Sequence, residues 1–330
     1  MKAVYFDEFG SPDVLRFKEV TKPAPVENEI LVKVKATSVN YGDLAARNFK
    51  NISPSDFNMP LFIWLIARFS FGLNKPNVHI PGCEFSGIVE NVGSGVTRFT
   101  PGDEVFGYVG ETMGAYAEYV KMTEKDCVAL KPSNMTFEQA AVIPYGAIMA
   151  LNLLHKAEIH PGQKVLIIGA SGGIGSAAVQ IARSMGAEVT GVCGTSRVEF
   201  VKSLGADRVV DYTREDYTQS SGTYDLIFDV LGRGDIQKCR GILKPGGIHL
   251  CASFKMKQLW NMLLTSRSDK RLICAIAPGS QNDLLEVRQM IEEGKIKAIP
   301  TRQFSMEQAA EAHRYAESGN RLGRVGITIA

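Results

Sequence analysis

The strongest constraint on this chain is a glycine-rich turn near its middle. Gly169, Ala170, Ser171, Gly172, Gly173, Ile174 and Gly175 stand between an apolar run, residues 164–168, and a helix-like stretch, residues 176–185. An unbroken apolar run is the pattern of a strand buried on both faces, and such a strand needs helices above and below its sheet. Glycines let the backbone approach an anionic group closely, and the positive end of the following helix favours negative charge there. Strand, turn and helix together predict a cradle for the pyrophosphate of a dinucleotide.

The flanking sequence extends that prediction. Residues 188–193, 208–212, 224–230 and 247–252 read as further strands, with a helix over 197–204 between two of them. Alternating strands and helices specify an α/β fold with a doubly wound parallel sheet. The first 120 or so residues have another character. Residues 30–39 alternate with a period near two, and strand-like 87–92 and 104–109 are bounded by turn residues at 93–95 and 100–103. Short strands with Gly and Pro punctuation predict a compact β-barrel module. Two helices (282–293 and 306–317) and a terminal strand (324–329) follow the sheet domain. For 330 residues, two domains are the ordinary expectation.

Composition excludes several functions. The net charge is only +2, so there is no broad electrostatic footprint for nucleic acid. Six cysteines are scattered singly, without the spacing of a disulfide framework or zinc knuckle, which suits a reducing cytoplasmic setting. The longest apolar run, 59–67, is shorter than the roughly 18 residues of a membrane-spanning helix and is followed by Arg68. Stable membrane insertion is not expected. The 59–73 segment reads either as a helix packed over the barrel or as an apolar lid over a substrate site.

Position and neighbours refine the turn. Short-chain dehydrogenases spell their turn the same way, but near the N-terminus and with a Tyr-x-x-x-Lys pair; none of the ten tyrosines here has Lys at that spacing. The second strand ends in Cys193-Gly-Thr-Ser-Arg197, where NAD sites generally carry an acid for the ribose hydroxyls. Thr195, Ser196 and Arg197 instead suit a 2′-phosphate, which an arginine binds by charge-assisted hydrogen bonds. NADP(H) is therefore the expected cofactor.

These residues, together with Ser38-Val-Asn-Tyr-Gly-Asp43, Pro81-Gly-Cys-Glu-Phe-Ser-Gly-Ile-Val89, Gly102-Asp-Glu-Val-Phe106, Ala140-Ala-Val-Ile-Pro144 and Ser203-Leu-Gly-Ala-Asp207, give a resemblance over nearly the whole chain. The chain resembles the medium-chain dehydrogenase/reductase superfamily, in its zinc-independent quinone oxidoreductase (zeta-crystallin-like) branch. The resemblance implies a GroES-like catalytic domain over residues 1–121, completed by 281–330, around a Rossmann NADP-binding domain over 122–280. It also implies a homodimer, often formed through the last Rossmann strand, here near 272–277. In metal-dependent relatives the catalytic zinc is held by a Cys at the position of Asn40, a His at that of Cys83, and a later Cys or acid. Asn40, Cys83 and Glu84 do not make the usual three-ligand set, and residues 99–131 contain only Cys127 where the structural zinc lobe needs four cysteines. No metal is expected.

Without a Lewis acid, acceptors that already take hydride readily are the expected substrates: quinones and α,β-unsaturated carbonyls, whose charge delocalises onto oxygen. The resemblance implies roles for single residues. Asn40 would bond the nicotinamide ribose or the substrate oxygen; Tyr41 and Tyr145 are candidate donors near the substrate. Asp43 would orient the Asn40 loop or cap a helix. Tyr212 would face the adenosine half, Leu231 and Ser253 would line the cofactor, and Arg324 would approach the pyrophosphate. Met149 replaces a Thr common in relatives, which removes a polar contact beside the nicotinamide. The proton would come from water or a nearby hydroxyl. A 2-alkenal or enoyl-thioester reductase and a non-catalytic NADPH-binding protein are the alternatives.

Overall fold

The computed structural model describes residues 1–219, 223–299, 301–319 and 321–330. Its centre is a six-stranded parallel sheet in the order Arg208–Asp211, Glu188–Cys193, Lys164–Ile168, Tyr224–Asp229, Leu243–Cys251, Arg271–Cys274. Numbered along the chain, that order is 3-2-1-4-5-6, the doubly wound arrangement. Its strand order reverses between Lys164–Ile168 and Tyr224–Asp229, and ligand crevices open at the carboxyl ends of such strands. Val165, Leu166, Ile167 and Ile168 are all buried, as a strand covered on both faces requires. The Gly173–Ser184 helix packs its buried Ala177, Ala178, Val179, Ile181 and Ala182 into the core on one side.

A seven-stranded, largely antiparallel barrel sheet is built from strands that come before and after this domain in the chain. Its order is Thr301–Ser305, Arg324–Thr328, Glu29–Ser38, Glu84–Val92, Glu104–Tyr108, Val128–Leu130, with Tyr119–Thr123 also paired to Glu29–Ser38. The chain therefore has a GroES-like β-barrel joined to a Rossmann sheet. The terminal strand lies between Thr301–Ser305 and Glu29–Ser38, which carries Arg324 back to the junction of the two domains. The barrel sheet continues past residue 121 to Val128–Leu130. Leu284, Val287, Met290 and Ile291 of the Gln281–Glu292 helix pack in the Rossmann-side core, against the Pro144–Lys156 helix among others.

The apolar 59–73 segment forms a helix, Leu61–Phe71, in which no residue is buried. It is held by edges: the Trp64 indole donates to the Ile52 carbonyl at 3.0 Å, and Trp64 and Phe71 both lie on the buried Phe49 ring. Among the described residues, no helix is long and apolar enough to cross a membrane.

Candidate active site

The glycine turn is built for close approach. Gly169 has φ +86°, a left-handed conformation that costs glycine nothing. A Cβ on Gly175 would lie 2.1 Å from the Gly169 carbonyl oxygen, so only glycine closes the turn there. A Cβ on Gly173 would meet Nη1 of Arg324 at 2.2 Å, one on Gly146 would meet the Gly173 carbonyl at 2.4 Å, and one on Gly169 would meet Leu231 at 3.2 Å. Three separate elements thus converge on the turn: the start of the Pro144–Lys156 helix, the loop after Tyr224–Asp229, and the terminal strand. Ala170 is buried beneath it, while Ser171, Gly172, Gly173 and Ile174 stay partly open. Backbone N–H groups at the start of the Gly173–Ser184 helix make this a ready anion site.

Beside the turn lies a buried polar network. Arg324, 3% exposed, donates from Nε to the Val142 carbonyl at 3.0 Å and from Nη2 to Asn40 Oδ1 at 2.5 Å and Glu84 Oε1 at 2.7 Å. Asn40 Nδ2 lies within hydrogen-bond reach of Ser38 Oγ (2.8 Å), Glu84 Oε1 (2.8 Å) and Cys83 Sγ (3.3 Å). Glu84, fully buried, also accepts from the Ser38 hydroxyl and, on Oε2, from the Tyr145 backbone N–H at 2.7 Å. One carboxylate therefore joins the barrel to the helix that abuts the glycine turn, and the Arg324 guanidinium balances its charge.

Asp43 supports this network from below. It stands at N3 of the Tyr41–Asn48 helix, where its carboxylate accepts the Asn40 N–H at 2.7 Å and the Gly82 N–H at 2.9 Å. The expected choice between orienting the Asn40 loop and capping a helix dissolves, because one set of hydrogen bonds does both. Burial pushes the Asp43 carboxyl up to about 7 against the opposing pull of those two N–H groups. Burial likewise raises the Cys83 thiol and the Tyr145 hydroxyl, so both are neutral donors at ordinary pH.

The remaining expected residues come from several separate elements. Tyr41 is more than half exposed at the first turn of its helix, near enough to Arg233 to feel its charge. Tyr145 is half-buried, its ring 5.9 Å from that of Tyr108. Tyr212 is exposed and lies over Gly194. Leu231 is exposed over the turn, and the Ser253 carbonyl lies close against Gly232 of the same loop. Asn58 donates to the Leu231 carbonyl and the Lys255 ammonium donates to the Ser55 carbonyl at 2.6 Å. The chain leading into the Leu61–Phe71 helix therefore spans from the barrel to the Rossmann loops that carry Leu231 and Lys255. Met149 is buried, in the core.

Two groups had no clear signal in the sequence. Asp211 ends the third Rossmann strand and accepts from the Thr195 hydroxyl at 2.6 Å and from the Thr213 hydroxyl at 2.7 Å. It holds Thr195 in place although it lies 16 residues further along the chain. Arg321 is the other. Burial, then repulsion by Arg324 and Arg197, lower its guanidinium to about 10. Arg321 and Arg324 of the C-terminal tail thus lie near enough to Arg197 of the Rossmann domain for the three charges to repel one another. Arg197 itself, half-buried, also donates to the Gly319 carbonyl. A spacing of three between Arg321 and Arg324 on a non-helical tail carries no periodic signal, so the cluster emerges only from the fold.

Comparison with known proteins places this geometry. Residues 26–132 match the model of an alcohol dehydrogenase GroES-like domain, and residues 204–325 match that of a zinc-binding dehydrogenase. The chain is 30% identical over 340 residues to the 2-methylene-furan-3-one reductase of Solanum lycopersicum, covering 99% of this chain and 79% of that protein. It is equally similar, at 30% over the same shares, to a chloroplastic NADPH-dependent alkenal/one oxidoreductase of Arabidopsis thaliana. Among solved structures, the quinone oxidoreductase of Coxiella burnetii superposes with a TM-score of 0.84 at 29% identity, over 100% of this chain and 99% of that one.

Proposed function

Because this chain belongs to the medium-chain dehydrogenase/reductase superfamily, in its quinone oxidoreductase branch, we propose that it is an NADPH-dependent, zinc-independent reductase of quinones or α,β-unsaturated carbonyls. The observation that carries the reading is the Arg324–Glu84–Asn40 network. The resemblance to metal-dependent relatives implies a zinc ion at the positions of Asn40 and Cys83, and the donors present do not fit one. Asn40 directs an amide N–H, not a lone pair, at Cys83 and Glu84, and the Glu84 carboxylate already carries the Arg324 guanidinium. A zinc ion there would have to displace a buried cation from the one carboxylate it pairs with among the described residues.

The dinucleotide, by contrast, fits the residues present. The Gly173 and Gly175 positions have no room for a Cβ, and residues 169–175 with Arg324 and Arg321 would hold the pyrophosphate. Thr195, Ser196 and Arg197 would hold the 2′-phosphate, and Tyr212 would cover the adenosine. A bound reduced nicotinamide supplies the hydride. The chain's own part is to orient and to stabilise charge. Asn40, held on four sides, gives a fixed polar edge beside the turn, and preorganised donors stabilise developing charge without reorganising. Tyr41 and Tyr145 are neutral hydroxyls able to donate to the acceptor's oxygen as it gains charge, with the final proton coming from them or from water. Leu231 and the apolar helix Leu61–Phe71 would shield the cleft and favour apolar acceptors. The unpaired edge of Arg271–Cys274 supports a homodimer through that strand.

The test is an acceptor panel run with NADPH and with NADH: a naphthoquinone, a short alkenal, a crotonyl thioester, and primary and secondary alcohols in the reverse direction with zinc added. NADPH-driven reduction of the quinone or enone, without zinc-stimulated alcohol oxidation, is the expected result. Alcohol oxidation that rises with zinc and exceeds every reduction would overturn the proposal.

A further inference from the structure

On the other side of the Rossmann sheet's centre, three neighbouring strands bring a second set of reactive side chains together. The parallel register aligns Asp229 with Cys251 and Cys251 with Cys274. His249, two residues before Cys251, shares its face, because side chains alternate along a strand. Asp229 and Cys251 are 1% or less exposed, His249 is 3% exposed, and Cys274 is half-buried.

The geometry converges on one point. His249 Nε2 lies 3.8 Å from an Asp229 carboxylate oxygen and 3.6 Å from Cys251 Sγ, and the three ligand atoms are all within 4.8 Å of one another. The strand register sets Cys274 directly beside Cys251. A nucleophilic Cys-His-Asp relay would string these groups along both ring nitrogens. Here the acid and the thiol meet the same nitrogen, and Nδ1 has no partner among the described residues. Zinc with ordinary bond lengths puts neighbouring tetrahedral N and S ligands about 3.5 Å apart, close to the spacing found. Charge points the same way. Among the described residues no lysine or arginine pairs with Asp229, so a buried carboxylate has only backbone N–H groups and a histidine beside it. A divalent cation would compensate that charge.

We infer that Asp229, His249 and Cys251 form the converged part of a structural zinc site, with the neighbouring Cys274 thiol turning in as its fourth ligand, separate from the Asn40–Cys83–Glu84 set. Two thiolates, an imidazole and a carboxylate are a closed four-ligand set that suits zinc over magnesium or calcium. Binding releases the two thiol protons to solvent as the two Zn–S bonds form. The ion plays no part in hydride transfer. Asp229 also accepts the N–H groups of Leu231, Gly232 and Gly234, at 3.2, 2.9 and 2.7 Å. The ion would therefore brace the loop that carries Leu231 over the glycine turn.

The full chain, stripped with chelator, is titrated with cobalt(II) and then zinc(II). The expected result is one equivalent of cobalt with a thiolate-to-cobalt charge-transfer band and tetrahedral d–d absorption, both bleached by zinc. Cys251→Ser and Cys274→Ser should each abolish the band, whereas Cys83→Ser should keep it. Circular dichroism and NADPH binding check that each variant is folded; if the buried Cys251→Ser variant is not, the half-buried Cys274→Ser decides. Absence of a thiolate–cobalt band in the wild type overturns the site. So does a band that survives Cys274→Ser.

Discussion

Removing Arg324 tests the balance at the heart of the site. Arg324→Met keeps the aliphatic stem but deletes a guanidinium that makes three hydrogen bonds, to Val142, Asn40 and Glu84. Glu84, fully buried, then keeps its hydrogen-bond donors at Ser38, Asn40 and Tyr145 but loses its cation. Breaking a buried pair from one side costs about 3–5 kcal/mol, and the three remaining donors set the expected loss near the lower end. Glu84→Gln in the same background removes the uncompensated charge and keeps an oxygen for Ser38 and Asn40, while its amide N–H faces the Tyr145 N–H. The double variant should therefore recover at least half of the loss, a positive coupling of about 1.5–3 kcal/mol of the kind found between contacting residues. Urea unfolding of the wild type, both single variants and the double variant gives the cycle. A single-variant loss below about 1 kcal/mol, the ordinary value of an exposed pair, would refute the reasoning. So would strict additivity, since it would mean that charge balance is not what ties the two residues together.

Three further outcomes follow from named contacts. Arg197→Ala should weaken NADPH binding about 10- to 100-fold while leaving NADH nearly unchanged, as a charged hydrogen bond of about 1.5–3 kcal/mol implies; equal losses for both, read by fluorescence titration, would remove Arg197 from the 2′-phosphate. Gly175→Ala forces a Cβ against the Gly169 carbonyl, so isothermal titration should find dinucleotide affinity lowered at least about tenfold; unchanged affinity would mean that the turn can open without cost. His313 is fully buried against the Tyr116 hydroxyl at 3.2 Å, and burial, aided by Arg47, lowers its imidazole to about 3. The unfolded chain then binds a proton near pH 6.5 that the folded one refuses, so this contribution is intact above about 6.5 and falls by up to about 1.4 kcal/mol per pH unit down to about 3. The stability gap between wild type and His313→Gln, followed by urea unfolding, should shrink as the medium is acidified; a constant gap would contradict it.

How much of this was legible in the sequence depends on the range of the physics involved. Lys164–Ile168 and Glu188–Cys193 match their expected bounds because burial on both faces leaves an unbroken apolar run. The Thr136–Gln139 capping box that starts the Phe137–Ala140 helix is equally local, spanning four residues. The Tyr41–Asn48 helix was not expected as an element, although Asn40 and Asp43 carry its local signature. It is short, and two of its buried residues, Asp43 and Arg47, are charged. An apolar period cannot appear where polar groups are the ones buried. The Met256–Thr265 helix escaped for the opposite reason: its apolar Trp260, Leu263 and Leu264 face outward, so periodicity alone does not reveal which side the sheet takes.

The site divides along the same line. The glycine turn is a local device, and sequence could read its chemistry because spacing, strand and helix are all contiguous. Glu84 was legible only as a poor zinc ligand. Its actual role depends on Arg324, 240 positions away, and on a terminal strand that returns to pair with Glu29–Ser38. The two residues then explain each other. A carboxylate at the domain junction requires a compensating cation in a dry site, and a guanidinium supplies it as a rigid fork reaching Asn40, Glu84 and Val142 at once. A metal could neutralise the same charge but would demand lone pairs from Asn40, whose amide N–H groups instead point at the thiol and the carboxylate. On the proposed reading, an arginine in place of a metal would leave the position cationic and the pocket polar without supplying a Lewis acid. That is the physical reason to expect acceptors that need only oriented hydrogen-bond donors.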